Sequence, residues 1–274
     1  MTLEYQAISD SFSRAAERYE AHAVLQKEVL HRLLERLADE PALARDAPLR
    51  ILDLGCGTGW AVAPLRELFP QADIHALDFS PAMIVRVPAG EKIHPVVADA
   101  HDLPYAENSF DLVFSNLMLQ WTNEPQVMAE AYRVLKPGGV LLASSLGFST
   151  LHELRHAWAA VDNKPHVNEF TDMRQVADAM LALGFAQVVA NSETIIMTYA
   201  KVVDLMRDLK AIGAHNVDEN RRRGLMSRQA LRTLESAYEK FRSEGVLPAT
   251  YEVNYFRGVA AGKTPKAIPS RLRG

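Results

Sequence analysis

Three aspartates close apolar runs in the first hundred residues: Asp53 in LDLGCGTGW (52–60), Asp78 in LDFSPAM (77–83) and Asp99 in VADAHD (97–102). Gly55, Gly57 and Gly59 follow Asp53 on alternate positions. Glycine at a strand tip costs backbone entropy and is favoured only where the chain turns sharply or lets something approach closely. The spacing differs from the G-x-G-x-x-G of a dinucleotide cradle, where amides and a helix N-terminus receive a pyrophosphate. An acid ahead of the glycines would repel a pyrophosphate and suits a cationic ligand. Asp78 is placed to accept both hydroxyls of a ribose, and Asp99 an amino group such as that of adenine. Each acid alone reads more readily as a turn or helix cap. Three together around a glycine loop point to a cation that carries a ribose and an adenine.

These side chains need a sheet to hold them. Strands are expected over 50–54, 73–78, 93–98, 111–115 and 140–145, the last after a KPGG turn at 136–139. Helices are expected over about 58–69, briefly from Pro81, and over 124–135. Strands alternating with helices imply a parallel, doubly wound α/β sheet, whose ligands bind at the strands' carboxyl ends. Residues 11–38 carry a helical period and 149–183 read as mainly helical. Two short strands near 185–199, helices at about 201–214 and 227–242, and a last strand in TYEVNYFRGVA (250–260) complete the pattern. The organisation expected is a helical lid (1–45), a core (46–148), acceptor-pocket helices with closing strands of the same domain (149–260) and a loose tail (261–274).

Composition narrows the function classes. A chain of 274 residues fits one large α/β domain. With a net charge of −4 it advertises no nucleic-acid partner, and no Asn/Asp-Pro-Pro-Tyr motif is present. The single cysteine, Cys56, allows no internal disulfide and fits a reducing compartment; without a partner base nearby it reads as small packing. The first residues are charged and no apolar run is long enough for a membrane span, so a cytoplasmic location is expected.

The flanks supply the second ligand. At 100° per residue, Phe12, Tyr19, Gln26, Leu30, Leu33 and Leu37 share one stripe, with His22 beside it. A stripe that turns polar without leaving its face suits a lid over a reacting centre, with Tyr19 and His22 orienting the acceptor. The segment 151–172 gathers His152, Arg155, His156, Trp158, Asp162, His166 and Asn168. Zinc is set aside there for want of a His-x-x-x-His pair and of a cysteine, and the cluster is expected to line the acceptor pocket. In 202–224, Arg207 and Lys210 stand off the apolar face; the run Arg221–Arg223 is a solvated surface or meets an acidic partner.

LDLGCGTG, ALDFSPAM, ADAHDLPYAENSFDLVFSNLMLQW and EAYRVLKPGG together resemble the class I S-adenosylmethionine-dependent methyltransferases. That resemblance implies a Rossmann-like seven-stranded sheet ending in a reversed hairpin. It also implies a sulfonium cofactor above Gly55–Gly59, ribose on Asp78 and adenine between Phe79 and the Asp99–Ala100 turn. Gln26, Asp53, Asn116 and Gln120 complete the implied cofactor set, with S-adenosylhomocysteine as product and no metal. FSRAAERYEAHAVLQKEV, HELRHAWAAVDNKPHVNEF and LMRDLKAIGAHN carry a narrower resemblance, to the malonyl-acyl-carrier-protein O-methyltransferases of biotin synthesis, and it spans nearly the whole chain. Pro88 departs from it by interrupting a usually longer helix. The acceptor so implied is the free carboxylate of malonyl on an acidic, transiently bound carrier protein, or on coenzyme A. A carboxylate is already ionised at neutral pH and needs a buried cation rather than a strong base. Arg155 or Arg207 is the expected partner, Lys210 the reserve, and His156, Trp158 and His166 line the pocket. Two alternatives stand beside this reading: methylation of another small carboxylate or a phenol, and a non-catalytic protein that binds the cofactor.

Overall fold

The computed structural model describes residues 23–211 and 227–261. Tyr19, His22, the run Arg221–Arg223 and the tail from 262 lie outside the described residues.

Seven strands form one mixed sheet: β1 (Arg50–Leu54), β2 (Asp73–Asp78), β3 (Ile93–Val97), β4 (Phe110–Ser115), β5 (Leu135–Leu146), β6 (Phe185–Tyr199) and β7 (Leu247–Ala260). Their spatial order is β3-β2-β1-β4-β5-β7-β6. The first five run parallel, and β1 and β4, buried on both faces, read as continuous apolar runs. The chain reverses its lateral direction at β1, so the β1–β4 gap is the switch point at which such sheets take ligands.

The helices are α1 (Val24–Ala38), α2 (Val62–Leu68), α3 (Pro81–Ile84), α4 (Glu124–Val134), α5 (His152–Ala159), α6 (Met173–Leu183), α7 (Val202–Ala211) and α8 (Arg228–Tyr238). Single 3-10 turns form at Leu119–Trp121 and Glu239–Phe241. Among the described residues no helix is long and apolar enough to cross a membrane.

Four elements differ from their sequence-based expectation. α2 starts at Val62 rather than near 58, because Gly59 sits at φ +85° and closes a turn through its amide on the Cys56 carbonyl. KPGG does not interrupt a strand: β5 runs through it, with its pairing to β4 jumping from Phe110↔Leu135 to Leu112↔Val140. Gly138, at φ +81°, absorbs that bulge. β6 is one strand of 15 residues rather than two, its irregularity confined to Gln187 at φ +49°. The stretch 149–183 holds only α5 and α6, separated by an irregular segment that contains Pro165.

Among the described residues the chain divides into two compact units: Val24–Ser145 with Thr171–Ser192 and the chain from Asn254, and Leu146–Phe170 with Glu193–Val253. In the first, Val127, Met128, Tyr132, Val176, Met180, Phe185 and Phe256 belong to one buried cluster. α1 buries Leu25, Val29, Leu33 and Leu37 at helical spacing. Its last turn is fastened by Arg36 over the Tyr255 ring, 3.8 Å from the centroid. Just beyond, Arg257 donates to both oxygens of Glu40 at 2.8 Å. In the second unit α5 packs on α8. Buried Glu153 accepts from the Thr250 amide at 3.2 Å and from the Thr250 hydroxyl, which ties the start of α5 to β7.

Candidate active site

The three glycines do different work. All have positive φ: +74° at Gly55, +54° at Gly57 and +85° at Gly59. A Cβ on Gly55 would overlap the Met118 side chain, and one on Gly59 would press on Pro88 and Val87 at 2.9–3.3 Å. A Cβ on Gly57 would meet nothing within 4 Å. Two glycines therefore let the protein close on itself, and the middle one alone faces open space.

Asp78 builds this loop. The Gly55 and Cys56 amides both donate to the Leu77 carbonyl, at 2.8 and 2.9 Å. Gly57 N–H donates to Asp78 Oδ2 at 3.0 Å and Ser80 N–H to Asp78 Oδ1 at 2.9 Å. One carboxylate thus holds the loop apex and the entry to α3, and with the Phe79 amide as a further donor it still keeps acceptor capacity for a hydroxyl. Burial raises its pKa, against the pull of those amide bonds.

Asp53 is the anomaly. It lies between Ala76 on β2 and Phe114 on β4, 2% exposed, and its Oδ2 has no hydrogen-bond partner. Burial, and then the charge of Asp78, push its pKa up to about 7. Three further buried oxygens lack partners nearby in the fold: Thr58 Oγ1 in the glycine loop, Gln26 Oε1 on the first turn of α1 and Gln120 Oε1 in the 3-10 turn after β4. Other contacts bring these elements to the same sheet end. Lys27 lies over the Trp60 ring at 4.7 Å, and Asn116 Nδ2 donates to the Gln26 carbonyl at 3.0 Å. Unpaired buried acceptors are costly. A ligand rich in N–H and O–H groups and bearing positive charge satisfies this set, so the residues present fit an aminoacyl nucleoside cation.

Asp99 sits after β3, partly exposed, and its Oδ1 accepts from His101 N at 3.0 Å and His101 Nδ1 at 2.6 Å. Since His101 Nε2 accepts from the Asn123 amide at 3.0 Å, the ring proton is on Nδ1. Burial raises the Asp99 carboxyl, but its bonds to His101 outweigh that and hold it below the usual range. Phe79 and Ala100 are partly exposed beside these acids. Asn116 works more as scaffold: its Oδ1 accepts from the Ser144 hydroxyl at 3.0 Å, and that hydroxyl accepts from the Leu117 amide. Thr58 was not foreseen; only its burial and its unpaired hydroxyl single it out. The cofactor residues expected from sequence, Gln26, Asp53, Gly55, Gly57, Gly59, Asp78, Phe79, Asp99, Ala100, Asn116 and Gln120, all fall in the first unit.

The acceptor candidates within the described residues all fall in the second unit. Arg155 donates to the Phe148 and Thr150 carbonyls, both at 3.2 Å, with its guanidinium 5.7 Å from the Phe148 ring. No carboxylate pairs with it among the described residues. Arg207, by contrast, is neutralised by Asp204 at 2.9 Å and is exposed; Lys210, one turn on, is exposed. Trp158 is buried and stacks on His166 at 3.7 Å and 6°, while His166 Nε2 meets Asp162 at 2.7 Å, so this trio braces its own irregular segment. Contrary to expectation the segment does hold a His-x-x-x-His pair: His152 and His156 stand four apart in HELRH on one face of α5, and both lie edge-on to Phe241. Their Glu153 is committed to Thr250. Among the described residues no three His, Cys, Asp or Glu side chains converge as a metal site would require.

Comparison with known proteins supplies the remaining observations. A family model described as "Methyltransferase domain" matches residues 52–143. The malonyl-[acyl-carrier protein] O-methyltransferase of Halorhodospira halophila is 44% identical over 272 residues, covering 97% of this chain and 91% of that one. The protein of the same name from Laribacter hongkongensis is 46% identical over 258 residues, 89% of this chain and 86% of that one. The biotin biosynthesis bifunctional protein BioHC of Teredinibacter turnerae is 41% identical over 263 residues, 90% of this chain and 45% of that one. Among solved structures, the YcgJ protein from Bacillus subtilis superposes with a TM-score of 0.58 at 14% identity, covering 84% of this chain and 98% of that one. Phosphoethanolamine N-methyltransferase 2 of Haemonchus contortus, in complex with S-adenosyl-L-methionine, gives a TM-score of 0.53 at 19% identity, over 93% of this chain and 57% of that one.

Proposed function

Because the chain belongs to the malonyl-[acyl-carrier protein] O-methyltransferases, we propose the following division of labour among its residues. The chain is an S-adenosylmethionine-dependent enzyme of biotin biosynthesis that methylates the free carboxylate of malonyl-acyl-carrier protein. S-adenosylmethionine supplies an electrophilic methyl group and leaves as S-adenosylhomocysteine, with no metal involved. The set of unpaired buried acceptors, Gln26, Asp53, Thr58 and Gln120, carries this reading of the site. Asp53 gives the negative charge that a cationic donor needs. Asp78 offers its spare lone pairs to ribose hydroxyls, and Gly57 leaves the space. Asp99 accepts from the adenine amino group beside Phe79 and Ala100.

On the acceptor side the chain must bind an anion, strip its water and orient one oxygen. No proton has to be removed, since a malonyl half-thioester is ionised at neutral pH. What has to be supplied is a cation, because a desolvated carboxylate without one is prohibitively costly. Arg155 is that cation. Among the described residues it carries no carboxylate partner, and with two of its five N–H donors on backbone carbonyls three remain for a ligand. Lys210, exposed one turn beyond the Asp204-paired Arg207, then attracts the acidic carrier protein, whose encounter is transient. Tyr19 and His22 orient the malonyl group.

The test is methyl transfer from labelled donor to malonyl-carrier protein, malonyl-coenzyme A and free diacids. The thioesters are expected to turn over and the free diacids to lag by at least tenfold. Equal turnover of small free carboxylates or phenols would replace the acceptor assignment, and cofactor binding without turnover on any acceptor would remove the catalytic one.

A further inference from the structure

We propose that Asp53 is a proton-linked counter-charge: its carboxyl holds a proton while the cradle is empty, and binding of a cationic nucleoside discharges that proton to solvent. The inference rests on the cofactor reading above but concerns this chain's own residue. Its basis is geometric. Asp53 sits one residue before the end of β1, beside the β1–β4 switch point, is 2% exposed, and leaves Oδ2 without a donor. Among the described residues, the titratable groups that bear on it are Asp78 and the Cys56 thiol. Neither brings positive charge. Asp78 brings Asp53 no donor, because both its oxygens act as acceptors, from the Gly57 and Ser80 amides. Cys56, buried, has its thiol pushed up well above its ordinary range by burial and then by the two aspartates, so it stays neutral. A buried carboxylate with no cation and an acidic neighbour keeps its proton until a charge arrives. The shift to about 7 agrees with that arrangement.

The proton balance is simple. Free Asp53–COOH gives bound Asp53–COO⁻ and one proton to solvent, and the positive charge of the ligand replaces the proton. Binding of S-adenosylmethionine should therefore tighten about tenfold from pH 6 to pH 8 and level off above, as follows from a free-state pKa near 7.

The experiment is isothermal titration of the full chain with S-adenosylmethionine at pH 7, in buffers of differing ionisation enthalpy. Wild type is expected to release about half a proton more than Asp53→Asn. A parallel arm with S-adenosylhomocysteine, which keeps the ammonium but lacks the sulfonium, identifies the charge: equal release with both nucleosides assigns it to the ammonium, release with the first alone to the sulfonium. Identical proton counts for wild type and Asp53→Asn would overturn the inference. A carbon-13 carboxyl titration of ligand-free wild type does not depend on the variant folding. A midpoint near 7 supports the inference, and one near 4 sinks it. If wild type bound neither nucleoside, the cofactor reading would fail, while the carboxyl titration would still report on Asp53.

Discussion

Gly55→Ala and Gly57→Ala separate a glycine that closes the fold from one that admits a ligand. Both positions have positive φ, +74° and +54°, so either alanine adds left-handed strain of about 1–2 kcal/mol. At Gly55 the new methyl also overlaps Met118. Relieving that overlap by moving a partly buried side chain costs a further ~1–3 kcal/mol. At Gly57 the methyl enters open space and strain is the whole stability cost. For a chain of this size each kcal/mol lowers Tm by roughly 2–4 °C, so Gly55→Ala should melt about 2–12 °C below Gly57→Ala. Binding should rank the other way. The Gly57 methyl stands where the nucleoside must approach the loop, and affinity for S-adenosylmethionine should fall more than tenfold, about 1.4 kcal/mol.

Gly138→Ala is the control. Its φ is +81° and its Cβ likewise meets nothing, but it lies in the β5 bulge. It should match Gly57→Ala in thermal denaturation and wild type in calorimetric titration with the nucleoside. Two outcomes refute the reasoning: a Gly57→Ala protein that binds within threefold of wild type, or one that loses more stability than Gly55→Ala. The first would mean that the open side of the loop is not the ligand's side.

Three other perturbations test separate parts of the account. Arg155→Ala should lower kcat/KM on malonyl-carrier protein more than tenfold, about 1.4 kcal/mol, while Arg207→Ala, already neutralised by Asp204, should cost less than threefold; the reverse ranking would relocate the acceptor's cation. Glu124 is buried, and burial pushes its pKa up to about 7 despite bonds from Thr171 and Ser145. A carboxyl whose folded pKa is raised favours the fold fully below its unfolded value and loses that contribution as pH climbs through the folded one. Glu124→Gln should therefore be more stable than wild type at pH 8, by at most about 3 kcal/mol, with no gain at pH 4.5, in denaturant titrations. Glu40 behaves oppositely: its bonds from Arg257 hold its pKa down, so that pair contributes above the unfolded carboxylate pKa and fades as pH falls through the folded one. Arg257→Leu should cost roughly 1–3 kcal/mol at pH 7 and much less at pH 3.

Legibility in the sequence followed how local the physics is. β1 and β2 were readable to the residue because an apolar run ended by an acid and then a glycine, or by an acid and then a Ser-Pro helix start, leaves few alternatives. The start of α2 was not, since nothing local in GTGW says that Gly59 closes a turn before the helix begins. KPGG looked like a stop because Pro and Gly weaken strands, yet pairing with β4 resumes on both sides of a bulge. β6, expected as two short strands near 185–199, runs undivided through Asn191 and Ser192, which an edge strand tolerates. Thr58 and the bracing role of Trp158, His166 and Asp162 depend on burial and on partners distant in pattern, which spacing does not encode. Nor did spacing reveal that Arg207 is neutralised by its own helix while Arg155 is not.

The two aspartates of the cradle show why a site residue and a clean test of the site are different things. From sequence, Asp78 is the ribose ligand and Asp53 a more generic counter-charge. In the structure Asp78 also carries the Gly57 and Ser80 amides. Asp78→Asn would leave one of those two buried N–H groups facing an amide NH₂ and would disturb loop, helix entry and ligand together. A loss of binding there says little about a ribose. Asp53 has the reverse character, since its Oδ2 serves nothing in the protein. Asparagine at that position removes a buried charge that destabilises the fold whenever it is unprotonated, so Asp53→Asn should hold or raise Tm above pH 7 while weakening the nucleoside. A substitution that stabilises the protein and costs it its ligand is the signature of a group kept for binding rather than for folding. If Asp53→Asn instead lowered Tm at pH 8, the carboxylate would have a structural partner, and the electrostatic account of the cradle would have to be rebuilt around it.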